Sequence, residues 1–532
     1  MRVAVVGAGP GGLFLATLLR RALPSWQVTV FERNRADDTF GFGVVFSDRT
    51  LARIHEADPV LREALDTHGV HWDVIEVRLK GERISCGGNG MAAVRRQTLL
   101  RLMQARAAEA GAQLRFSCPV ELADLSEFDL VVGADGTGSR LRDALASELE
   151  PSVETATAKF IWFGTDYAFD GLTFVHERGP HGVFAVHGYP IGDGVSTFIV
   201  ETDEASWRAA GLDEFDVTQP PGASDERSRA YLEALYADRI DGAKLLVNNS
   251  RWANFRTRRT ARWNLLSPLG RVGQALAFLG DAVHTAHFSV GSGTKMAMED
   301  AIALSAALAS HPADLGAALA AYEAAARPSV EAIQGSARPS LSWWEHFGRY
   351  HDAFEPWQFA YHFLSRSISD AQLARRDAGF VGAAHAAWEA RHGAEVLASP
   401  LEVGSARFGS RVAERAPFPL HDHRSEADSD VGGRSSHQNG DHGVWIQAPD
   451  DEAGLPGAFA ALADAVAGGA ALVAVRGGTP LTRTLVCEQA RLHHGVAALL
   501  VDPELDRDRA VTAILSGRAD LVAPDLDAWG GP

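Results

Sequence analysis

Three short stretches built around glycine carry most of the chemistry in this sequence. In Gly7-Ala8-Gly9-Pro10-Gly11-Gly12, the residues Gly7, Gly9 and Gly12 give the spacing GxGxxG directly after the β-branched run at 3–6. Such a turn lets backbone N–H groups approach a pyrophosphate, with a helix N-terminus aimed at its charge. Glu32 closes the alternating run 27–32, where a carboxylate can accept hydrogen bonds from a ribose hydroxyl, and Arg33 follows it. This pattern suits FAD and NAD equally. A second stretch, residues 129–136, delivers Asp135 and Gly136 to the end of an apolar run, with Ser139 and Arg142 just beyond. The third runs from Gly280-Asp281 through His284 to Phe288-Ser289-Val290-Gly291-Ser292-Gly293-Thr294-Lys295. Asp281 there can accept from a sugar-alcohol hydroxyl. The helix start at Gly291, Gly293 and Thr294 offers free N–H groups to an anion or to the carbonyl edge of a ring.

Each stretch needs a strand to deliver it and a helix to receive it. The pattern along the chain predicts an α/β protein: a Rossmann-like domain opening with β-α-β, and aromatic-rich alternating runs between 160 and 202 that read as an inserted antiparallel sheet. A helical segment and a small α/β C-terminal domain follow. The expected division is a discontinuous nucleotide-binding domain at 1–155 and 265–345, and a substrate domain at 156–264. A helical extension at 346–420, a polar linker at 421–443 and a tail at 444–532 complete it. Four histidines in the linker fit no ligand spacing, so no metal site is expected.

Composition narrows the function classes. The 532 residues carry 50 basic and 68 acidic side chains, net −18, which argues against nucleic-acid binding. No apolar run is long enough to span a bilayer, and no leader is expected ahead of the first glycine motif. Three scattered cysteines suggest neither disulfides nor zinc. A cytoplasmic protein without nucleic-acid or membrane partners is expected.

The order of the three motifs resembles the class A flavin monooxygenases, the para-hydroxybenzoate hydroxylase superfamily, over residues 1–420. The resemblance implies bound FAD, NAD(P)H and O2 as co-substrates, and transfer of an electrophilic oxygen to an activated aromatic ring, para to a hydroxyl or amino group. Residues 41–48, 160–166, 196–202 and 280–301 are similar to a narrower group, the salicylyl-CoA 5-hydroxylases and anthraniloyl-CoA monooxygenases. That similarity adds Val45 and Arg96 to the cofactor-binding set, Arg96 near the FAD phosphates. It sets Lys295, one of four lysines, beside the flavin as a positive charge. Residues 481–525 look like the last units of an old-yellow-enzyme barrel, truncated to a remnant for packing or dimerisation, so a homodimer is one expected assembly.

On this reading His287, His187 and Tyr189 are candidates to polarise a substrate phenol or carry its proton. Phe46, Phe163 and Phe288 are candidates to enclose the aromatic substrate, and His284 is structural. Arg256 and Arg258, with Arg259 and Arg262, form the densest basic cluster and a candidate dock for the phosphates of a CoA or carrier-protein handle. An insertion at 265–273 interrupts the match. The rival readings are a hydroxylase of a free small aromatic or indole, and a catalytically silent FAD-binding scaffold.

Overall fold

The computed structural model describes residues 1–39, 41–47, 51–216, 222–267, 274–414, 419–422 and 442–524. The expected linker lies almost wholly outside them, as do Asp48 and residues 268–273 of the insertion. The chain forms two compact units, residues 1–83 with 88–348, and residues 84–87 with 349–532.

In the first unit the opening β-branched run becomes strand Arg2–Val6, buried on both faces from Val3 onward. It pairs in parallel with Gln27–Phe31 on one side and Leu130–Gly133 on the other. Ala275–Phe278 then joins Leu130–Gly133, and Asn264–Leu266 closes that edge antiparallel. On the far side Gln113–Arg115 completes six strands. A parallel sheet covered on both faces demands continuous apolar strands, which is what these segments supply. Each chemical motif therefore sits at the carboxyl end of a neighbouring strand: Gly7 after Val6, Asp135 after Gly133, Asp281 after Phe278.

The second sheet is largely antiparallel. Pro151–Thr165 pairs with Ser196–Thr202 and with Ala253–Thr260, then Gly182–Pro190 and Leu172–Gly179 follow in order. Alternation sends Ile161, Phe163, Phe198 and Val200 into one apolar core. The opposite face carries Tyr189, Ile191 and Ile199, with Trp162 and Phe288 packed against them. A small sheet of Gly43–Ser47, Met91–Arg95 and Val70–Trp72 adds Ala93, Phe42, Val45 and Trp72 to that face.

The second unit gathers residues expected as a helical extension and a separate tail. Its sheet is five parallel strands: Leu420–Asp422, Gly443–Gln447, Leu472–Arg476, Ala497–Val501 and Leu521–Ala523. Helices Leu455–Ala467, Pro480–Glu488 and Arg507–Leu515 make the crossovers. Five strands are fewer than the eight of a (β/α)8 barrel. The hairpin Leu401–Val403 and Ala406–Phe408 packs Val403 and Phe408 on Leu472, Leu499 and Leu521.

Within this unit Glu488 is buried and receives the Tyr350 hydroxyl, Arg349 at 2.8 Å and His362 at 3.1 Å. Burial alone would raise its pKa, but the hydrogen bond and charge of His362, with Arg349 and Arg518, hold it well below the usual carboxylate range. Burial, helped by the Arg518 charge, pushes His362 down from 6.5 to about 4 despite Glu488. The unfolded chain thus binds the His362 proton more readily than the native one, so stability falls as pH drops from about 6.5 towards 4. Urea denaturation across that range should show the loss, and His362→Asn should flatten it.

Candidate active site

The first glycine turn separates two kinds of constraint. Gly7 has φ +110°, and a Cβ there would lie 2.2 Å from the Ala134 carbonyl oxygen. At Gly12 a Cβ would lie 2.1 Å from the Gly7 oxygen, so helix Pro10–Ala22 meets its strand only through glycine. Gly9 differs: its backbone is ordinary extended chain and a Cβ would meet no protein atom within 4 Å. Nothing in the protein itself requires glycine there, whereas a pyrophosphate pressed against the helix start does. Glu32 accepts from the Ala8 N–H at 2.9 Å through one oxygen and from the Asn34 backbone and side chain through the other. That anchors the turn and leaves lone pairs for a ribose. Arg33 beside it is exposed.

The other two motifs meet this turn. One oxygen of Asp135 accepts from the Arg140 N–H at 3.0 Å, while Oδ1 is buried without a partner, and burial raises the carboxyl's pKa. Asp281 has no side-chain donor among the described residues. Burial raises its pKa, against the charges of His284, Arg96 and Arg258. Arg96 is half-buried, its N–H on the Phe42 carbonyl, with Asp281 and Tyr189 the groups that favour its charge against desolvation. Gly291, at φ +62°, lies 3.8 Å from Val45, and Gly293 lies 4.0 Å from Asp281, each measured from a built Cβ. The structure thus brings together Val45, Arg96, Asp281, Gly291, Gly293 and the half-buried Thr294 at the start of helix Gly293–Ser310. An orphaned carboxylate oxygen, an uncovered glycine and a guanidinium that, among the described residues, makes no ion pair fit FAD.

Four expectations change. Lys295 donates to Glu299 at 2.7 Å one turn along its own helix, so its ammonium is matched by an acid and does not stand as an unpaired cation. Arg258 is buried: Nη1 donates to the Thr137 carbonyl at 2.8 Å, and the backbone N–H to Thr285 Oγ1 at 2.7 Å. Arg142 donates to that Thr137 carbonyl at 3.2 Å and to the Ala282 carbonyl at 3.0 Å, so the two arginines clamp the Asp-Gly and Gly-Asp turns together. Arg259 and Arg262 pair with Glu154 and Glu150, which leaves Arg256 exposed and no four-arginine patch. Phe46 is 2% exposed in the core of the nucleotide domain, and Phe163 is fully buried on the far face of the sheet. Both are core residues. Period-2 alternation turns Phe160 and Trp162 towards the site in place of Phe163.

Phe288 is the centre of that wall. Its ring lies 5.0 Å from Phe160, 5.6 Å from Trp162, 6.1 Å from Phe255, 5.6 Å from His187 and 4.3 Å from His287. Between the two histidines lies Glu201, 1% exposed and absent from the expected set. Its oxygens are 2.7 Å from His187 Nε2 and 3.8 Å from His287 Nε2. Tyr189 lies nearer the cofactor residues: its hydroxyl reaches the Gly43 carbonyl at 3.4 Å, and burial, opposed by Thr197 and Arg96, pushes its pKa up to about 12. His284 is buried and bonded to Asp300 at 2.7 Å, which also takes the Gly280 N–H.

Residues 1–129 and 126–336 match the family model described as FAD binding domain. The chain belongs to this family. A salicyloyl-CoA 5-hydroxylase of Streptomyces sp is 55% identical over 98% of this chain and 99% of its own length. A 3-hydroxy-4-methyl-anthranilyl-[aryl-carrier protein] 5-monooxygenase of Streptosporangium sibiricum is 35% identical over 59% of this chain and 80% of its own. The crystal structure of a variant of 2-methyl-3-hydroxypyridine-5-carboxylic acid oxygenase shares the fold, at 19% identity and a TM-score of 0.50. It covers 69% of this chain and 98% of its own. This member of the FAD-binding family is a flavin-dependent aromatic monooxygenase, with FAD as cofactor and NAD(P)H and O2 as co-substrates. Among the described residues no helix is long and apolar enough to cross a membrane.

The glycines give a direct test of the cradle. Gly9→Ala should leave the unfolding free energy of the apoprotein within about 1 kcal/mol of the parent yet weaken FAD binding by about tenfold or more. Gly7→Ala, with its left-handed backbone and blocked Cβ, should fail to accumulate folded protein. Flavin fluorescence titration and circular dichroism read the two outcomes.

Proposed function

We propose that this enzyme hydroxylates the ring of a salicylyl thioester carried on CoA, para to the ring hydroxyl, working in the cytoplasm. The observation that carries this reading is 55% identity to a salicyloyl-CoA 5-hydroxylase along nearly the full length of both chains. The three free cysteines suit a reducing compartment, where NAD(P)H is also at hand.

When bound, FAD supplies hydride acceptance from NAD(P)H and activation of O2. The chain's own residues do the rest. Gly7, Gly9, Gly12, Glu32 and Asp135 would hold the dinucleotide, while Arg96 and the helix start at Gly293 and Thr294 would supply positive potential to it. Phe288, with Phe160, Trp162 and Phe255, provides an apolar wall against which an aromatic ring stacks and from which water is excluded. His187 and His287 border that wall and serve the ring hydroxyl.

A second reading, hydroxylation of a free aromatic acid, draws support from the dispersal of the arginine cluster, since Arg258 is buried and Arg259 and Arg262 pair with Glu154 and Glu150. NAD(P)H oxidation by the purified enzyme with salicylyl-CoA, anthraniloyl-CoA, salicylate and anthranilate separates the two. Salicylyl-CoA should stimulate oxidation most and yield the para-dihydroxy product. Stimulation by the free acids alone would favour the second reading. Phe288→Ala should raise KM for the thioester about tenfold, as expected for a lost stacking partner worth about 1.4 kcal/mol, and divert reducing equivalents to hydrogen peroxide.

A further inference from the structure

His187, Glu201 and His287 come from three segments that only the folded sheet unites. Strand register sets Glu201 directly opposite Ala185 and opposite Phe160, and sets His187 opposite Ile199. His187 and Glu201 are therefore diagonal neighbours on one face, the face that Phe160 turns towards Phe288. His287 arrives from the loop after the Gly-Asp turn and approaches the other carboxylate oxygen. Its Nδ1 accepts the Ser289 N–H at 3.4 Å and lies 2.7 Å from Ser289 Oγ, so the neutral ring carries its proton on Nε2, towards Glu201. Ser289 Oγ in turn lies 2.8 Å from Ser340 Oγ on helix Leu315–Ala353. A line of polar groups thus runs from His187 through Glu201, His287 and Ser289 to Ser340, alongside the Phe288 ring.

The geometry of this line sets a buried carboxylate between two imidazoles. An ionised carboxylate buried this deeply costs several kcal/mol unless a positive group compensates it. Among the described residues, the ionisable groups seen against Glu201 are His187 from its neighbouring strand and His287 from the loop. Lys159, next to Phe160, directs its ammonium to Asn254 Oδ1 at 2.8 Å, and His176, one strand further on, stacks on Trp344 at 6.0 Å. The helix presents Ser340 and Trp344, which are uncharged. An ionised carboxylate beside one protonated imidazole and one neutral imidazole makes the group neutral. A second proton makes it a cation, which is stable there only beside an anion.

We propose that Glu201 is a positioning residue that joins His187 and His287 into one proton-accepting unit for the ring hydroxyl of the substrate. This rests on the reading that the substrate is a phenol. In the step, the phenolic O–H bond breaks and an N–H bond forms on the His187 imidazole, whose Nε2 lies 2.7 Å from Glu201. The electron pair stays on oxygen as phenolate, and the net charge of the site is unchanged. The phenolate ring is the more electron-rich and so the better target for an electrophilic oxygen.

The test reads ionisation rather than turnover. Salicylyl-CoA is titrated into the oxidised holoenzyme at a series of pH values, and the phenolate absorbance is followed by difference spectroscopy. Glu201→Gln, with flavin content equal to the parent, should raise the apparent pKa of the bound phenol by about one unit or more, a tenfold fall in the phenolate-to-phenol ratio. The dissociation constant for salicylyl-CoA should change less than about threefold. His287→Asn, which keeps Glu201, should give the same rise and carries the test if the first variant does not fold. Unchanged ionisation in a variant that binds salicylyl-CoA overturns the proposal. If the parent enzyme binds salicylate and not salicylyl-CoA, the thioester reading fails, and the same titration with salicylate still decides the role of Glu201.

Discussion

Arg142 and Arg258 both donate to the carbonyl of Thr137, and Arg142 reaches on to the carbonyl of Ala282 in the Gly-Asp turn. Both side chains are buried, and Arg258 feels the repulsion of Arg142 as well as desolvation, which lowers its pKa. Two cations are thus held side by side by carbonyl oxygens and by Asp143, which pairs with Arg142 at 2.7 Å. The arrangement fixes where Asp135 and Asp281 stand relative to one another, and hence the span that a dinucleotide must bridge. Arg258 also belongs to strand Ala253–Thr260, so the same contact ties the antiparallel sheet to the parallel one.

That wall depends on register more than on composition. Residues 160–163 read Phe-Ile-Trp-Phe, and all four are apolar, yet only Phe160 and Trp162 face Phe288. Ile161 and Phe163 fill the opposite core with Phe198 and Tyr236. Gly164 continues the first face, where a Cβ would strike the Phe42 ring at 2.6 Å. A single-residue slip would exchange the two faces entirely.

The three glycine motifs were legible in the sequence because each is local: a strand, a turn and a helix start within a dozen residues. The α/β class and the inserted sheet were legible for the same reason, from buried runs and alternating ones. What escaped depends on partners far along the chain. Glu201 acquires meaning only through strand pairing with residues 160 and 185 and through a loop some distance beyond it. Arg259 looks like part of a basic patch until Glu154 arrives across the sheet from it. Lys295 is the exception, since Glu299 lies four residues away and the i,i+4 pair was open to reading.

The parallel sheet of the nucleotide domain is finished late. Strand Leu130–Gly133 takes its second neighbour only when Ala275–Phe278 arrives, after the whole substrate sheet has been made. During synthesis the earlier strands must therefore wait with an apolar edge exposed, and pairing across so long a separation is slow. Such a nascent chain would be a natural client for chaperones, and its yield in cells would be set by folding kinetics before it is set by native stability.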